Sequence, residues 1–353
     1  MSAAMLATAM PKLGVAALMS WSWDRFMIDP TPGPRVRGDF DRLGDRGGVA
    51  QILETSALRI GRSTLPRLAG RLGHPLLLLE ADGGATGLAE LIERAVAAFD
   101  ADEVVVVDVG GDILGEGHEA NLRTPLADSL ALAAAVQSGV PTRVLVAGIG
   151  MDGELSSPEL EVRLDQLHAR PVAELTPKDV EPFNDIWSWH PSEANALLAA
   201  AAGGWQGAVE TQRNALLELT AAAAIVYEID ARTLTESSLA APLVGTTSLE
   251  QAEQLLRERR DGRSELDIER RRAAGEHAEV RMPTLDTLDV IDRYVDEAAT
   301  RGVDALTVRR TAEMVSAIEP SATEALRELL GRHRPDNFRP PLYLVHGENG
   351  EGV

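Results

Sequence analysis

The sequence contains no cysteine. Disulfides, thiolate metal centres and a cysteine nucleophile are therefore excluded, and nothing demands an oxidising compartment. Positive charge is also scarce: 34 Lys and Arg stand against 55 Asp and Glu, a formal net charge of −21. A nucleic-acid duplex or an anionic membrane is repelled by most of such a surface, so neither is an expected partner. No run approaches about eighteen uncharged apolar residues, and the Ala-rich stretches near 196 and 220 are too weakly hydrophobic to span a bilayer. The apolar start, Met1 to Met19, carries Pro11, Lys12 and Gly14, lacks a basic segment and runs into Trp21-Ser22-Trp23-Asp24. It reads as fold rather than signal, and the chain is expected to be soluble and cytoplasmic. Also missing are a Gly-x-Ser-x-Gly elbow, a Walker phosphate loop, His-Glu-x-x-His and a clean Gly-x-Gly-x-x-Gly after a strand. Hydrolase triads, P-loop NTPases and zincins are disfavoured.

What is present is a chain of 353 residues with 44% hydrophobic content, enough for a sizeable core. Val15 to Trp21, Leu76 to Glu80, Val104 to Asp108 and Val144 to Gly148 are short apolar or β-branched runs bounded by turn residues, the signature of buried strands. Helical patterns at Thr86 to Phe99 and Leu126 to Gln137 separate the last three. This alternation predicts a doubly wound, mainly parallel, Rossmann-like α/β sheet. Helices are expected at Pro158 to His168, Ser192 to Ala202 and Glu210 to Thr220, with a further strand of the same sheet at Ala223 to Ile229. From about Arg232 charged helices take over, including Leu249 to Arg260 and the mixed-charge Arg263 to Glu279. Leu342 to Val345 reads as a short edge strand. The expected division is an α/β core over 1–231 carrying the site and a charged, mainly helical region over 232–353 packing on it.

In a doubly wound sheet, ligands bind beyond the carboxyl ends of the strands. Three such loops combine Asp with Gly: Asp82-Gly83-Gly84, Asp108-Val109-Gly110-Gly111-Asp112 and Gly150-Met151-Asp152-Gly153. Glycine lets backbone N–H groups approach a ligand, and the carboxylates can hold a divalent cation, accept sugar hydroxyls or exchange protons. Asp and Gly are also ordinary turn and cap residues, but two acids at the end of a buried strand are costly unless paired or used. The following loop, through Glu116, His118, Glu119 and Arg123, is long for its type; its His and Glu spacing matches no strong metal motif, and Thr124 reads as a helix cap. Trp23-Asp24-Arg25 after the first strand offers stacking and anion contacts. His190, between Trp189 and Pro191-Ser192-Glu193, is a proton carrier or a core histidine.

These segments resemble the family catalogued as domain of unknown function 1152, from archaea and high-GC bacteria. The resemblance rests on Trp23-Asp24-Arg25, Asp29-Pro30, Pro32-Gly33-Pro34-Arg35, Asp108-Val109-Gly110-Gly111-Asp112, Arg123-Thr124-Pro125-Leu126-Ala127-Asp128, Asp152-Gly153-Glu154-Leu155 and His190-Pro191-Ser192-Glu193-Ala194, across roughly residues 15 to 280. It supports the positions and implies no reaction. The family pattern opens with a strand and a glycine run ending in Asp, whereas this sequence begins at Met1-Ser2-Ala3-Ala4-Met5.

The expectation is an enzyme acting on a small polar, sugar- or phosphate-bearing metabolite by carboxylate and histidine acid–base chemistry, with hydrolysis or elimination preferred. Asp24, Asp108 and His190 are the expected catalytic groups. Trp23, Arg25, Gly110, Gly111, Arg123 and Glu193 are expected to bind substrate, and Asp108, Asp112 and Asp152 to hold a divalent cation such as Mg²⁺. A non-catalytic metabolite- or nucleotide-binding module is the alternative, and assembly into a homo-oligomer stays open.

Overall fold

The structure, a computed structural model, describes residues 1–276 and 279–347. The four apolar runs form strands at Leu18–Trp21, Leu76–Leu79, Val104–Val109 and Thr142–Ala147. Each is buried on both faces. Leu77, Leu79, Val144 and Val146 pack with the helices Gly84–Phe99 and Leu126–Gln137 in one core. Leu76, Leu78, Leu145 and Ala147 point the other way, into a core shared with Ser2–Ala9 and Glu193–Ala202. The period-two alternation of strand side chains thus feeds two helical layers, which is why these runs are mostly apolar on both faces, with polar side chains at Ser20, Asp108, Thr142 and Arg143.

The α/β class holds, but the strands pair in mixed sheets, and a doubly wound order is not established by this pairing. Leu18–Trp21 pairs parallel with Leu76–Leu79, whose other neighbour, Val49–Ile52, runs antiparallel and continues into a hairpin with Gly44–Arg46. Val104–Val109 pairs parallel with Thr142–Ala147 in a second sheet. The expected later strand, Ile225–Asp230, joins that sheet, antiparallel to Thr142–Ala147 and to Arg170–Glu174. A continuous apolar run reports burial of both faces; it carries no information about which edge a neighbour takes or in which direction.

Other elements depart from expectation. Glu210 to Thr220 is no helix: Gly207–Glu210 and Leu216–Leu219 are antiparallel strands joined by a turn in which Asn214 has φ 61°. The Ala- and Leu-rich composition favours a helix only weakly, and strand pairing overrides it. Leu342–Leu344 lies inside its sheet, between Ala305–Thr307 and Phe338–Arg339, because the Pro340-Pro341 turn folds a further strand back against it. The expected helices at Pro158 to His168, Leu249 to Arg260 and Arg263 to Glu279 form as Ser157–Gln166, Leu249–Arg259 and Glu265–Ala273. Residues 277 and 278 of the last segment, and 348–353 of the C-terminal region, lie outside the described residues.

The C-terminal helices Leu285–Thr300 and Pro320–His333 build a third core from Leu288, Ile291, Val295 and Ala298, spaced as one helix face, against Leu326, Leu330 and Tyr343. A buried carboxylate ties this part to the strands: Glu210 accepts from Arg310 Nε at 2.7 Å and Arg301 Nη2 at 2.7 Å, and also from Tyr294. No helix among the described residues is long and apolar enough to cross a membrane.

Leu145 is fully buried in a strand paired on both sides, at Val107 and Glu228. Leu145→Ala should cost about 2 to 5 kcal/mol, lowering the urea midpoint at an unchanged slope. A shift below about 1 kcal/mol would show that the core does not close over this position.

Candidate functional site

Three strand ends meet at one cleft. Asp24 and Arg25 reach it from the loop after Leu18–Trp21, Arg123 and Thr124 from the long loop after Val104–Val109, and Asp152 and Glu154 from the loop after Thr142–Ala147. Counting its solvent-open mouth, the cleft measures about 870 Å³. Glu193, at the first position of its helix, closes one side. The third Asp/Gly loop takes no part: Asp82-Gly83-Gly84 starts a helix whose Ala85 and Thr86 N–H groups donate to Thr246 Oγ1 and Thr246 O.

Behind Asp152, which lines the cleft, lies a group of buried aspartates. Asp108 and Asp112 are 3% and 6% exposed, and each can offer an oxygen that lies within 4.8 Å of the other's and of one from Asp128. Asp128 sits in the first turn of Leu126–Gln137. Asp152 lies against the backbone of Gly110, where a Cβ would come 2.2 Å from its Oδ2. Glycine is required there twice over, since Gly110 has φ 120°. The glycine N–H groups, expected to face a ligand, both donate within the protein: Gly110 to Ala147 O at 3.1 Å and Gly111 to Asp108 Oδ2 at 2.9 Å.

Crowding these acids away from water penalises their charged forms. Burial first, and then repulsion from Asp128, holds Asp108 and Asp112 well above the usual carboxylate range; Asp152 adds to the repulsion on both, while a hydrogen bond from Asp112 eases that on Asp108. Burial and Glu154 push Asp128 up to about 6, against the attraction of Arg25. The same two causes push Asp152 up to about 7. Its Oδ1 accepts the Glu154 N–H at 2.8 Å, while Oδ2 is buried without a hydrogen-bond partner among the described residues. The donor set suits a hard divalent cation: three carboxylates with mutually close oxygens, and a fourth beside them whose buried oxygen lacks a hydrogen. Asp128 fills the place in this trio that sequence reasoning gave to Asp152.

The opposite wall was not foreseen. Glu265, Ile268, Glu269 and Arg272 project into the cleft from Glu265–Ala273. Their i, i+3, i+4, i+7 spacing marks a single helix face, and that polar periodicity was the available signal. Glu269 accepts from Trp23 Nε1 at 2.8 Å and from Gly33 N at 2.8 Å. Trp23 is thereby a brace for this helix and does not line the cleft. Glu265 accepts the Leu126 N–H at 2.9 Å, and burial pushes it up to about 8. Arg309 and Gln212 complete the lining from the C-terminal region and the turn after Gly207–Glu210.

Asp24 does line the cleft, with its carboxylate anchored by Thr64 Oγ1 at 2.6 Å and Thr64 N at 3.2 Å; burial raises its pKa. Glu193 Oε1 accepts from Gln212 N at 3.1 Å and from Thr307 Oγ1. His190 is elsewhere. It packs edge-on to Trp189 and Trp187, with ring centroids at 5.6 and 6.2 Å, beside Arg327, and is absent from the cleft wall. Burial lowers its pKa to about 3, so the ring is neutral.

Fold and cleft together define an α/β protein with a cleft lined by carboxylates and arginines beyond the carboxyl ends of its parallel strands. The chain belongs to the family described as "Protein of unknown function (DUF1152)", which matches residues 1–273. No curated protein and no solved structure matches it.

Glu265 makes a pH prediction. Its folded pKa of about 8 lies above its ordinary 4.5, so between those values the folded chain holds a proton that the unfolded chain releases. Stability is then full below about pH 4.5 and falls as pH rises, by on the order of 3 kcal/mol at pH 7 from this group. The melting temperature should drop between about pH 5 and pH 8, and Glu265→Gln should flatten that slope. Parallel curves for the two proteins would reject the assignment.

Proposed function

We propose that the protein is an enzyme acting on a small polar, sugar- or phosphate-bearing metabolite by carboxylate acid–base chemistry assisted by a divalent cation, as a hydrolase or lyase. The observation that carries this reading is the grouping of Asp108, Asp112 and Asp128 behind Asp152, which itself lines the cleft and has one oxygen left unpartnered among the described residues. A purely structural cluster of like charges would be destabilising without return, and burial against like charge is how acid–base groups are tuned toward neutrality.

Asp108, Asp112 and Asp128 would hold the cation, which supplies charge stabilisation to an oxygen of the substrate. Asp152, pushed up to about 7, is divided between acid and carboxylate near neutral pH. As carboxylate it takes a proton from water, whose oxygen then bonds to the electrophilic centre, or from carbon in an elimination. The departing oxygen receives a proton from an acid, a role that Glu265 fits because it is protonated at neutral pH. Asp24 orients polar groups of the substrate, and Arg25 and Arg123 attract its anionic groups. His190, beside the cleft but outside its wall and neutral, has no part in proton transfer.

Two variants test the reading in one assay, in which pure protein with Mg²⁺ is incubated with a metabolite extract and consumed masses are followed. Asp112→Asn keeps the side-chain volume and removes a charge, so it should stay folded and slow consumption by about a hundredfold or more. Consumption at the wild-type rate, or none by the wild type, would overturn the proposal. His190→Ala should instead lower stability by about 1 to 3 kcal/mol and leave turnover per folded molecule unchanged. A large loss of turnover at an unchanged melting temperature would restore His190 to the site.

A further inference from the structure

The cleft is lined by arginines as well as by acids. Arg25 enters it from the loop after the first strand, Arg272 from Glu265–Ala273, and Arg309 from the helix Val308–Met314. The Arg309 side chain is only 12% exposed, and its ion pair with Glu313 is 3.9 Å long, beyond hydrogen-bond reach. Burial first, and then repulsion from Arg25 and Arg272, opposes its charge, although Glu193 and Glu313 attract it. The guanidinium groups of Arg25 and Arg272 make no hydrogen bond and no ion pair among the described residues. Neighbouring carboxylates have other partners: Glu269 accepts from Trp23 and Gly33, and Glu193 from Gln212 and Thr307. Carboxylates do attract them, Asp128 and Glu269 for Arg25, Glu269 and Glu313 for Arg272, and Glu193 and Glu313 for Arg309, yet no guanidinium N–H of the three is hydrogen-bonded among the described residues, so their donors are open to a ligand.

We propose that Arg25, Arg272 and Arg309 form a subsite for a phosphoryl group of the substrate. This rests on the reading of the cleft as a metabolite site and narrows it to phosphorylated compounds. A carboxylate is satisfied by one guanidinium in a two-point contact. Three guanidiniums from three separate elements match a group with three outer oxygens and close to two negative charges. The phosphoryl group anchors the molecule at the three arginines and leaves its polar remainder to Asp152. Like charge keeps the phosphoryl group itself off the aspartates, so the bond that breaks lies in the remainder. Arg309 follows the family-matched residues 1–273, so the C-terminal region completes the subsite.

Calorimetric titration of the whole protein with inorganic phosphate, without divalent cation, tests this apart from turnover. Wild type should bind with a Kd of about 1 mM or tighter. Arg272→Gln and Arg309→Gln should each weaken binding about tenfold or more, and Arg332→Gln, which removes an exposed charge from the last turn of Pro320–His333, should not. Acetate at equal ionic strength should not compete. Arg272, half-buried on its helix, provides the test if Arg309→Gln fails to fold. Absence of phosphate binding up to about 10 mM, equal binding by the arginine variants, or displacement by acetate would overturn the subsite. Turnover lost in Asp112→Asn without phosphate binding would leave the catalytic reading and remove this one; phosphate binding without any turnover would do the reverse.

Discussion

Negative charge confined where water is excluded is the constraint around which this molecule is arranged. Asp108, Asp112, Asp128 and Asp152 repel one another, and each is raised by burial before any neighbour is counted. Such a group persists only where the surrounding chain over-determines it. Backbone donors supply part of that determination, from Gly111 to Asp108 and from Glu154 to Asp152. The bond from Gly150 N to Gly110 O, at 2.7 Å, stitches the two acidic loops directly together.

The long loop between Asp112 and Leu126 is clamped. Arg263 donates to the carbonyls of Gly117, Glu119 and Ala120, Arg260 to that of Leu122 at 2.6 Å, and Arg163 to that of Leu114 at 3.0 Å. Glu154 fixes the far end by accepting from Arg123 N, Thr124 N and Thr124 Oγ1. Glu119, whose oxygens come within 4.8 Å of ligand atoms of Glu116 and His118, also uses both oxygens on the Glu116 and Gly117 N–H groups. The loop's length reflects the need to carry Arg123 and Thr124 back to the cleft, and its carbonyls find guanidinium donors because no strand or helix supplies them.

How far the sequence could be read follows from what each signal measures. Apolar runs and turn residues located the buried strands and the helices on either side, since burial on both faces leaves an unmistakable composition. Strand direction and neighbour order stayed hidden, because they depend on contacts between segments far apart in the chain. Asp24, Asp108, Asp112 and Asp152 were legible because acid at the end of a buried strand conflicts with local cost. Trp23 and His190 attracted attention as rare side chains near polar ones, yet both serve packing, and type alone does not distinguish a brace from a wall. Glu265, Glu269, Arg272 and Arg309 were obscured by a charged background in which one helix face looks like another until its partner is known.

That obscured group changes the division of labour between the two ends of the chain. The segment after 232 contains the wall helix, and its first-turn Glu265 meets the N–H of Leu126, at the start of the helix bearing Asp128. Glu193 links the same cleft to Thr307, beside Arg309, and Glu210 links the strands to Arg301 and Arg310. Buried hydrogen-bonded carboxylates therefore sit at each junction between the strand-end loops and the C-terminal region. Breaking one leaves an uncompensated charge or donor, a cost that fixes relative position more sharply than apolar contact, which tolerates sliding. The buried aspartates come from the strand ends and from the helix Leu126–Gln137, while two of the three arginines come from beyond residue 232. The charged lining of the cleft is consequently a product of how the two parts are registered against each other, and neither part contains it alone.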